Sequence, residues 1–203
     1  PMQINIDKKS GIFLSIIAVL LLILGFMASN RDGNPFGGIN HMGMHSDDEQ
    51  PSSSNNFQGS DIMFAQMMIP HHEQAVQISD LALKISKNLE VLKLAAEIKA
   101  AQSPEILQMT SWLNQANAAL EMGHSMGMGG MLSDSEIKTL ESATGKNFDI
   151  LFLNGMIAHH EGAIHMALMV KDSANADVKA LGESITKSQA AQILVMKEML
   201  KNL

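Results

Sequence analysis

The sequence contains no cysteine and no tyrosine, and it has one tryptophan among 203 residues. Without cysteine, the chain can form no disulfide and offers no thiolate as a nucleophile or a metal ligand. The scarcity of aromatic side chains argues against a surface on which nucleic-acid bases stack. Because the formal net charge is -7, phosphate backbones would also be repelled overall. We therefore expect no nucleic-acid partner.

Methionine is the residue in excess, with 17 copies. In helices it commonly fills gaps in a core, but two polar segments that contain glycine also combine it with histidine. Thioether and imidazole groups together are ligands for copper(I), and imidazole also suits copper(II). We therefore predict that both segments capture metal ions. The candidate ligands are His41, Met42, Met44 and His45 in a predicted flexible linker (residues 29–60), and His124, Met126, Met128 and Met131 in a predicted loop (residues 121–132).

Residues 12–28 form an uncharged, apolar run. As a helix that rises 1.5 Å per residue, this run would be about 26 Å long, close to the thickness of a bilayer core. Lys8 and Lys9 precede it and predict that residues 1–11 are cytoplasmic. The run is either an uncleaved membrane anchor or a cleavable signal peptide, and its length favours the anchor. Either interpretation places the rest of the chain on the periplasmic or extracellular side.

Residues 61–203 contain one motif twice. Residues 68–75 read Met-Ile-Pro-His-His-Glu-Gln-Ala, and residues 156–163 read Met-Ile-Ala-His-His-Glu-Gly-Ala, an offset of 88. With this offset, nine of the eighteen residues 61–78 are identical to their counterparts in 149–166. A repeat of this kind determines the architecture, because each copy is expected to fold into the same unit.

The duplicated units read as helical hairpins, repeat one over residues 61–120 and repeat two over residues 147–203. Their second helices align weakly after a deletion of one residue, which places Ile106 opposite Ile193. Apolar residues recur with helical spacing, and no stretch alternates with the period of a strand. The sequence predicts an all-α fold, an antiparallel four-helix bundle built from two hairpins and preceded by the transmembrane or signal helix. The second helix should extend to Leu120.

The duplicated motif carries the candidate metal chemistry. Residues four apart share a helix face, so Met68 lies next to His72, and the equivalent pair recurs in repeat two. If the two pairs face each other, they form a neutral, soft donor set that suits copper(I) or silver(I). Glu73 and Glu161 could add carboxylates or orient the neighbouring histidines. The predicted ligands are Met68, His71, His72, Met156, His159 and His160, with Met67 and His165 as further candidates.

These motifs resemble the DUF305 family, in which a Met-Ile-x-His-His-x-x-Ala helix is duplicated and followed by a second conserved helix. The second-helix motif reads Gln102, Glu105, Ile106, Met109, Trp112 and Leu113 in repeat one, and Gln189, Ile193 and Met196 without the glutamate and tryptophan in repeat two. The resemblance covers about residues 61–203 and implies a ferritin-like four-helix bundle in exported bacterial proteins. It also implies copper binding, since at least one member, a cyanobacterial periplasmic protein, is a copper-binding resistance factor.

Two other classes of function stay open. A di-iron redox enzyme would need Glu-x-x-His on two helices, whereas Glu161 and His165 are four residues apart. A non-metal interaction module would use the histidine pairs in a buried polar network, but such a role does not account for the loops that contain methionine and histidine. We predict an exported, membrane-tethered protein that is not an enzyme and binds copper, preferentially copper(I), for sequestration, transfer or resistance. Its expected partners are the metal ion, the membrane and a protein that receives copper, and no oligomeric state is predicted.

Overall fold

The computed structural model describes residues 57–122 and 128–203, and all regular secondary structure in these two ranges is helical. The predicted all-α class is therefore confirmed. The helices are α1 (Gly59–Ile85), α2 (Leu89–Gln115), α3 (Asp134–Ser142), α4 (Gly145–Ala167) and α5 (Ala176–Asn202), and a 3-10 turn (Leu168–Val170) follows α4. The predicted cytoplasmic segment, anchor and most of the linker lie outside the described residues. Inside those residues, no helix combines the length and apolar character needed to cross a membrane.

Local capping determines where α2 begins and ends. The side chain of Asn88 accepts a hydrogen bond from a backbone N–H in the first turn, which satisfies one of the donors that a helix start leaves free. The helix ends at Gln115, earlier than predicted. Asn117 adopts a left-handed backbone conformation with φ 50°, and the N–H of Ala118 bonds to the carbonyl of Leu113. This arrangement closes the helix before it can reach the predicted end.

The four long helices form two hairpins that pack against each other through their first helices. Helices α1 and α2 form the first hairpin and α4 and α5 form the second, with short turns between the partners. The principal contact between the hairpins joins α1 to α4, the two helices that carry the histidine pairs. The duplicated motifs therefore meet at the centre of the molecule, and α3 packs on the outside of α4.

The core consists of two apolar clusters with polar residues between them. One cluster combines the second half of α1 with the first half of α4, and the other combines the first half of α1 with the second half of α4. Helices α1 and α4 therefore run in opposite directions. Phe64 and Phe152, which occupy equivalent repeat positions, are fully buried in different clusters. Burying each such side chain contributes about 2 to 3 kcal/mol.

A layer of polar residues crosses the bundle at the level between the two clusters, and we call it the histidine layer. Each of the four long helices contributes two residues to it. The members are His71 and His72 from α1, Gln102 and Glu105 from α2, His159 and His160 from α4, and Gln189 and Gln192 from α5.

Candidate metal centre

All four histidines of the duplicated motif are completely buried, with no exposed side-chain surface. The rings of His71 and His159 are in direct contact across the interface of α1 and α4, with their centroids 3.7 Å apart and their planes at 39°. The sequence alone leaves open which ring of each pair faces the other repeat, because adjacent residues on a helix diverge by about 100°. One ring of each pair therefore faces the other repeat, and the second ring faces its own hairpin.

The second ring of each pair bonds to the second helix of its own repeat. His72 Nε2 lies 2.8 Å from Glu105 Oε2 on α2, and His160 Nε2 lies 2.7 Å from Gln192 Oε1 on α5. The one-residue deletion that aligns the second helices makes Glu105 and Gln192 equivalent positions. The two repeats therefore use the same hydrogen-bond geometry, once with a carboxylate and once with an amide.

Burial keeps three of these rings neutral. Desolvation lowers the pKa of His71 to about 3 and the pKa of His160 to about 4, and it holds the pKa of His159 well below its usual value. Repulsion between neighbouring imidazolium charges acts in the same direction. A metal ion binds the neutral form of imidazole, so burial leaves these side chains in the protonation state that ligation requires.

Several ring nitrogens of the histidine layer lack a hydrogen-bond partner among the described residues. They are Nδ1 of His71, His72, His159 and His160, together with Nε2 of His159. The backbone of His71 lies close enough to His159 to act against the lowering of its pKa, although neither ring nitrogen of His159 has a hydrogen-bond partner among the described residues. Each buried polar atom left unpaired costs about 1 to 3 kcal/mol. Since one of the two nitrogens of a neutral His159 carries a proton, the four rings can offer up to four lone pairs to a metal ion.

The predicted thioether ligands are buried in the two apolar clusters rather than in the histidine layer. Met68 and Met67 belong to one cluster and Met156 to the other. Met68 and Met156 are fully buried, and they lie on opposite sides of the histidine layer. That a thioether and an imidazole hold the same ion stays a prediction. The other candidate, His165, is exposed on α4.

Residues 129–132, the last four of the predicted loop, lie directly over the histidine layer, and we call them the strap. His71 Nε2 lies 3.3 Å from the carbonyl oxygen of Gly129. The side chain of Gln74 donates to the carbonyl of Leu132 at 2.9 Å and accepts from its N–H at 2.8 Å. On the other side, a Cβ atom at Gly162 would overlap the Gly129 carbonyl. The strap is thus held by repeat one and accommodated by the absence of a side chain in repeat two.

Of the linker and loop residues that the sequence predicts as ligands, the structure describes only Met128 and Met131. Met128 packs against one apolar cluster, and Met131 lines a cavity of about 330 Å³ between the strap, α3 and α4. His124 and Met126 lie outside the described residues, as do His41, Met42, Met44 and His45.

The carboxylates expected to assist the histidines are not part of the layer. Glu73 and Glu161 are exposed, and Glu161 lies 3.4 Å from Lys197. The residue that does contact a histidine is Glu105, whose side chain is 14% exposed. Within residues 57–122 and 128–203, no three side chains of the His, Asp and Glu types are placed to hold one metal ion together. A site here would therefore use fewer nitrogen ligands or add thioethers.

The fold and the site define a class: a duplicated helical hairpin with a buried layer of paired histidines. The chain belongs to the DUF305 family, a domain of unknown function, and the family model matches residues 61–200. This match confirms the resemblance inferred from the motifs. The curated proteins include no match to the chain.

Solved structures of similar proteins share the fold. A DUF305 protein from Streptomyces coelicolor, provisionally described as secreted, is 30% identical, with a TM-score of 0.68 over 70% of this chain and 93% of its own. The protein CopM in its Cu(II)-bound form is 34% identical, with a TM-score of 0.62 over 72% and 99% of the two chains. In its Cu(I)-bound form the identity is 32% and the TM-score 0.61, over 71% and 98%. CopM has also been solved with silver.

Proposed function

We propose that this protein binds copper, preferentially as copper(I), at the histidine layer. The observation that carries the proposal is the set of buried ring nitrogens that lack a hydrogen-bond partner among the described residues. In three of the four rings, burial prevents protonation at neutral pH. Imidazole nitrogen is a good ligand for copper.

The similarity to CopM supports copper as the metal. CopM is known in forms bound to Cu(I), Cu(II) and silver, and it covers most of the helical domain at about one-third identity. A monovalent ion also agrees with the donor geometry. Copper(I) and silver(I) need only two or three soft ligands, whereas a divalent ion in a buried site requires more negative charge around it.

The wider proposal follows the sequence. We propose an exported protein with residues 12–28 as a membrane anchor and a ferritin-like bundle on the outer side. The histidine and methionine side chains of residues 41–45 and 124–131 would collect ions or pass them to a partner protein. We propose no enzymatic activity, because a di-iron centre needs carboxylates directed into the bundle, and both glutamates of the duplicated motif are exposed.

A second candidate function is a non-metal interaction module in which the histidine layer serves only as a polar core. The observation in its favour is that His71, His72 and His160 each have one ring nitrogen in a hydrogen bond. Buried polar networks can select one helical register over others. This alternative predicts that no metal ion changes the stability of the bundle.

The deciding experiment is an anaerobic copper(I) competition titration of the full chain against a chelator of known affinity. The test variant is His72→Ala/His160→Ala, and the control is His165→Ala, which removes an exposed histidine from the same helix as His160. We expect the test variant to lose at least about 100-fold in affinity and the control to bind like the parent. A third variant, His41→Ala/His45→Ala, should change the rate or stoichiometry of capture more than the tightest affinity.

The outcomes separate the two candidates. Binding that survives intact in the His72→Ala/His160→Ala variant, with helical content unchanged by circular dichroism, would remove the metal from the histidine layer. Absence of tight binding in the parent would favour the non-metal module. If the alanine variant unfolds, the conservative pair His72→Gln/His160→Gln replaces it in the same titration.

A further inference from the structure

Three of the four buried imidazoles use the same nitrogen for hydrogen bonding. His72 Nε2 contacts a carboxylate oxygen of Glu105, His160 Nε2 contacts the amide oxygen of Gln192, and His71 Nε2 contacts the backbone carbonyl of Gly129. All three partners are oxygen acceptors, so each Nε2 donates a proton to its partner. In the neutral ring, which is the form that a metal ion binds, the second nitrogen, Nδ1, then has its lone pair free.

The free nitrogen is also the one without a hydrogen-bond partner in the described part of the chain. Nδ1 of each of these three rings is buried and unpaired, in side chains with no exposed surface. The hydrogen bond made by one nitrogen of a histidine decides which nitrogen can bind a metal. The partners therefore determine the ligand atom without touching the ion.

We infer that the metal ion of the histidine layer binds through Nδ1, and that Glu105 and Gln192 are positioning residues that fix this choice in the two repeats. This inference rests on the proposed function. Glu105 aligns His72, and Gln192 aligns His160, at distances typical of a hydrogen bond to imidazole. Neither side chain needs to reach the ion.

Glu105 and Gln192 also differ in charge, and this difference affects which ion the histidine layer prefers. Glu105 can contribute one negative charge to the histidine layer, whereas Gln192 contributes none. One carboxylate balances one monovalent cation, and a second would favour a divalent one. Glu105 thereby gives the site an electrostatic preference for copper(I) or silver(I) that the histidines alone do not provide.

The first test determines the tautomers directly. Long-range proton–nitrogen correlation spectra of the full chain labelled with ¹⁵N-histidine, free of metal at pH 7, should show the Nε2–H tautomer for His71, His72 and His160. One equivalent of silver(I) should then shift Nδ1 of His72 and His160, the two rings that Glu105 and Gln192 align. The exposed ring of His165 is the internal control and should not shift.

Variants of Glu105 separate positioning from simple packing. Glu105→Gln keeps an oxygen acceptor, so His72 should retain the Nε2–H tautomer while silver(I) affinity falls about 10-fold. Glu105→Ala removes the acceptor, and His72 should populate both tautomers, with a larger loss of affinity. Gln192→Glu adds a second carboxylate and should raise the affinity for zinc(II) relative to silver(I).

The results that would overturn the inference differ from those that would overturn the proposed function. A silver-dependent shift at Nε2 of His72 or His160, or an unchanged tautomer and affinity in Glu105→Ala, contradicts the inference and leaves metal binding intact. If silver(I) shifts none of the four buried rings, both fail. Because the metal-free spectra use the parent protein, a variant that does not fold cannot obscure the outcome.

Discussion

The two repeats have the same histidine pair but different residues around it. Each pair places one ring against the other repeat and the second ring against its own hairpin. Around the pair, repeat one has Gln74 where repeat two has Gly162. The comparison indicates that the histidines of the layer are the same in both repeats, while one of their partners (Glu105 or Gln192) and the position facing the connecting loop differ.

The connecting loop explains this divergence. Two identical hairpins would present two identical surfaces, but one chain has only one loop between its repeats. The strap passes between Gln74, which bonds to Leu132, and Gly162, where a side chain would overlap Gly129. Gly130 is also necessary here, since it has φ 84° and approaches the backbone of Ala158 closely. A symmetric duplication has thus been made asymmetric so that the strap can cover the layer.

The largest expected effect comes from replacing Gly162 in repeat two by glutamine, the residue that repeat one has at the equivalent position. Gly162→Gln gives repeat two the side chain of repeat one, but its Cβ would overlap the Gly129 carbonyl. Because that carbonyl belongs to backbone and cannot rotate away, we expect the strap to detach and the free energy of unfolding to fall by about 3 kcal/mol. Urea denaturation followed by circular dichroism measures the change.

A matched glycine provides the control for this substitution. Gly59 lies at the start of α1, and a Cβ there would meet nothing within 4 Å. Gly59→Ala should leave stability unchanged or raise it by a few tenths of a kcal/mol. A Gly162→Gln protein as stable as the parent would show that the strap does not depend on the asymmetry of the repeats.

The next effect concerns pH and tests whether the two repeats contribute equally. In the folded protein, the pKa values of His71 and His160 are about 3 and about 4, whereas in the unfolded chain each ring takes up a proton near its ordinary pKa of 6.5. The unfolded state therefore binds more protons as the pH falls. Stability is complete above pH 6.5 and decreases below it, by about 2 kcal/mol for each ring between pH 7 and pH 5.

Urea denaturation of the metal-free protein at pH 7, 6 and 5 measures this dependence. His71→Gln and His160→Gln should each flatten the profile by the contribution of one ring, the first in repeat one and the second in repeat two. The exposed His165 serves as the control position. A profile that stays flat from pH 7 to pH 5 in the parent would contradict the burial of neutral rings.

The sequence predicted the histidine pairs and the all-α class because these features leave identical residues or regular spacing in both repeats. It did not predict which rings meet, because the 100° divergence within each pair allows either ring to face the other repeat. The partners of His72 and His160 were visible only as positions of the second-helix motif. Glu105 and Gln192 differ in charge, so their shared role became apparent only from their hydrogen bonds. The strap was not predicted, since no local pattern indicates where a glycine-rich loop will pack.

The smallest expected effect concerns a buried carboxylate that only repeat one contains. Glu97 is 7% exposed on α2, and desolvation raises its pKa to about 7 against the opposing effect of Lys93. The buried residues of α5 include no glutamate. Since the folded state holds its proton more tightly than the unfolded chain, the carboxyl group costs nothing at pH 4.5 and its cost grows until about pH 7.

Replacing Glu97 should increase the free energy of unfolding only at pH values at which its carboxylate is charged. Glu97→Gln should match the parent at pH 4.5 and exceed its free energy of unfolding by about 1 to 2 kcal/mol at pH 8. The raised pKa already includes the attraction of Lys93, and screening by solvent keeps the cost below that of the full shift. Glu183→Gln, on the exposed surface of α5, is the control in repeat two and should show no such pH dependence. An equal gain at both pH values would mean that Glu97 is neutral or well solvated throughout. In that case, the first hairpin would carry no electrostatic cost that the second lacks, and the asymmetry of the repeats would be confined to the strap and to the partners of the histidines.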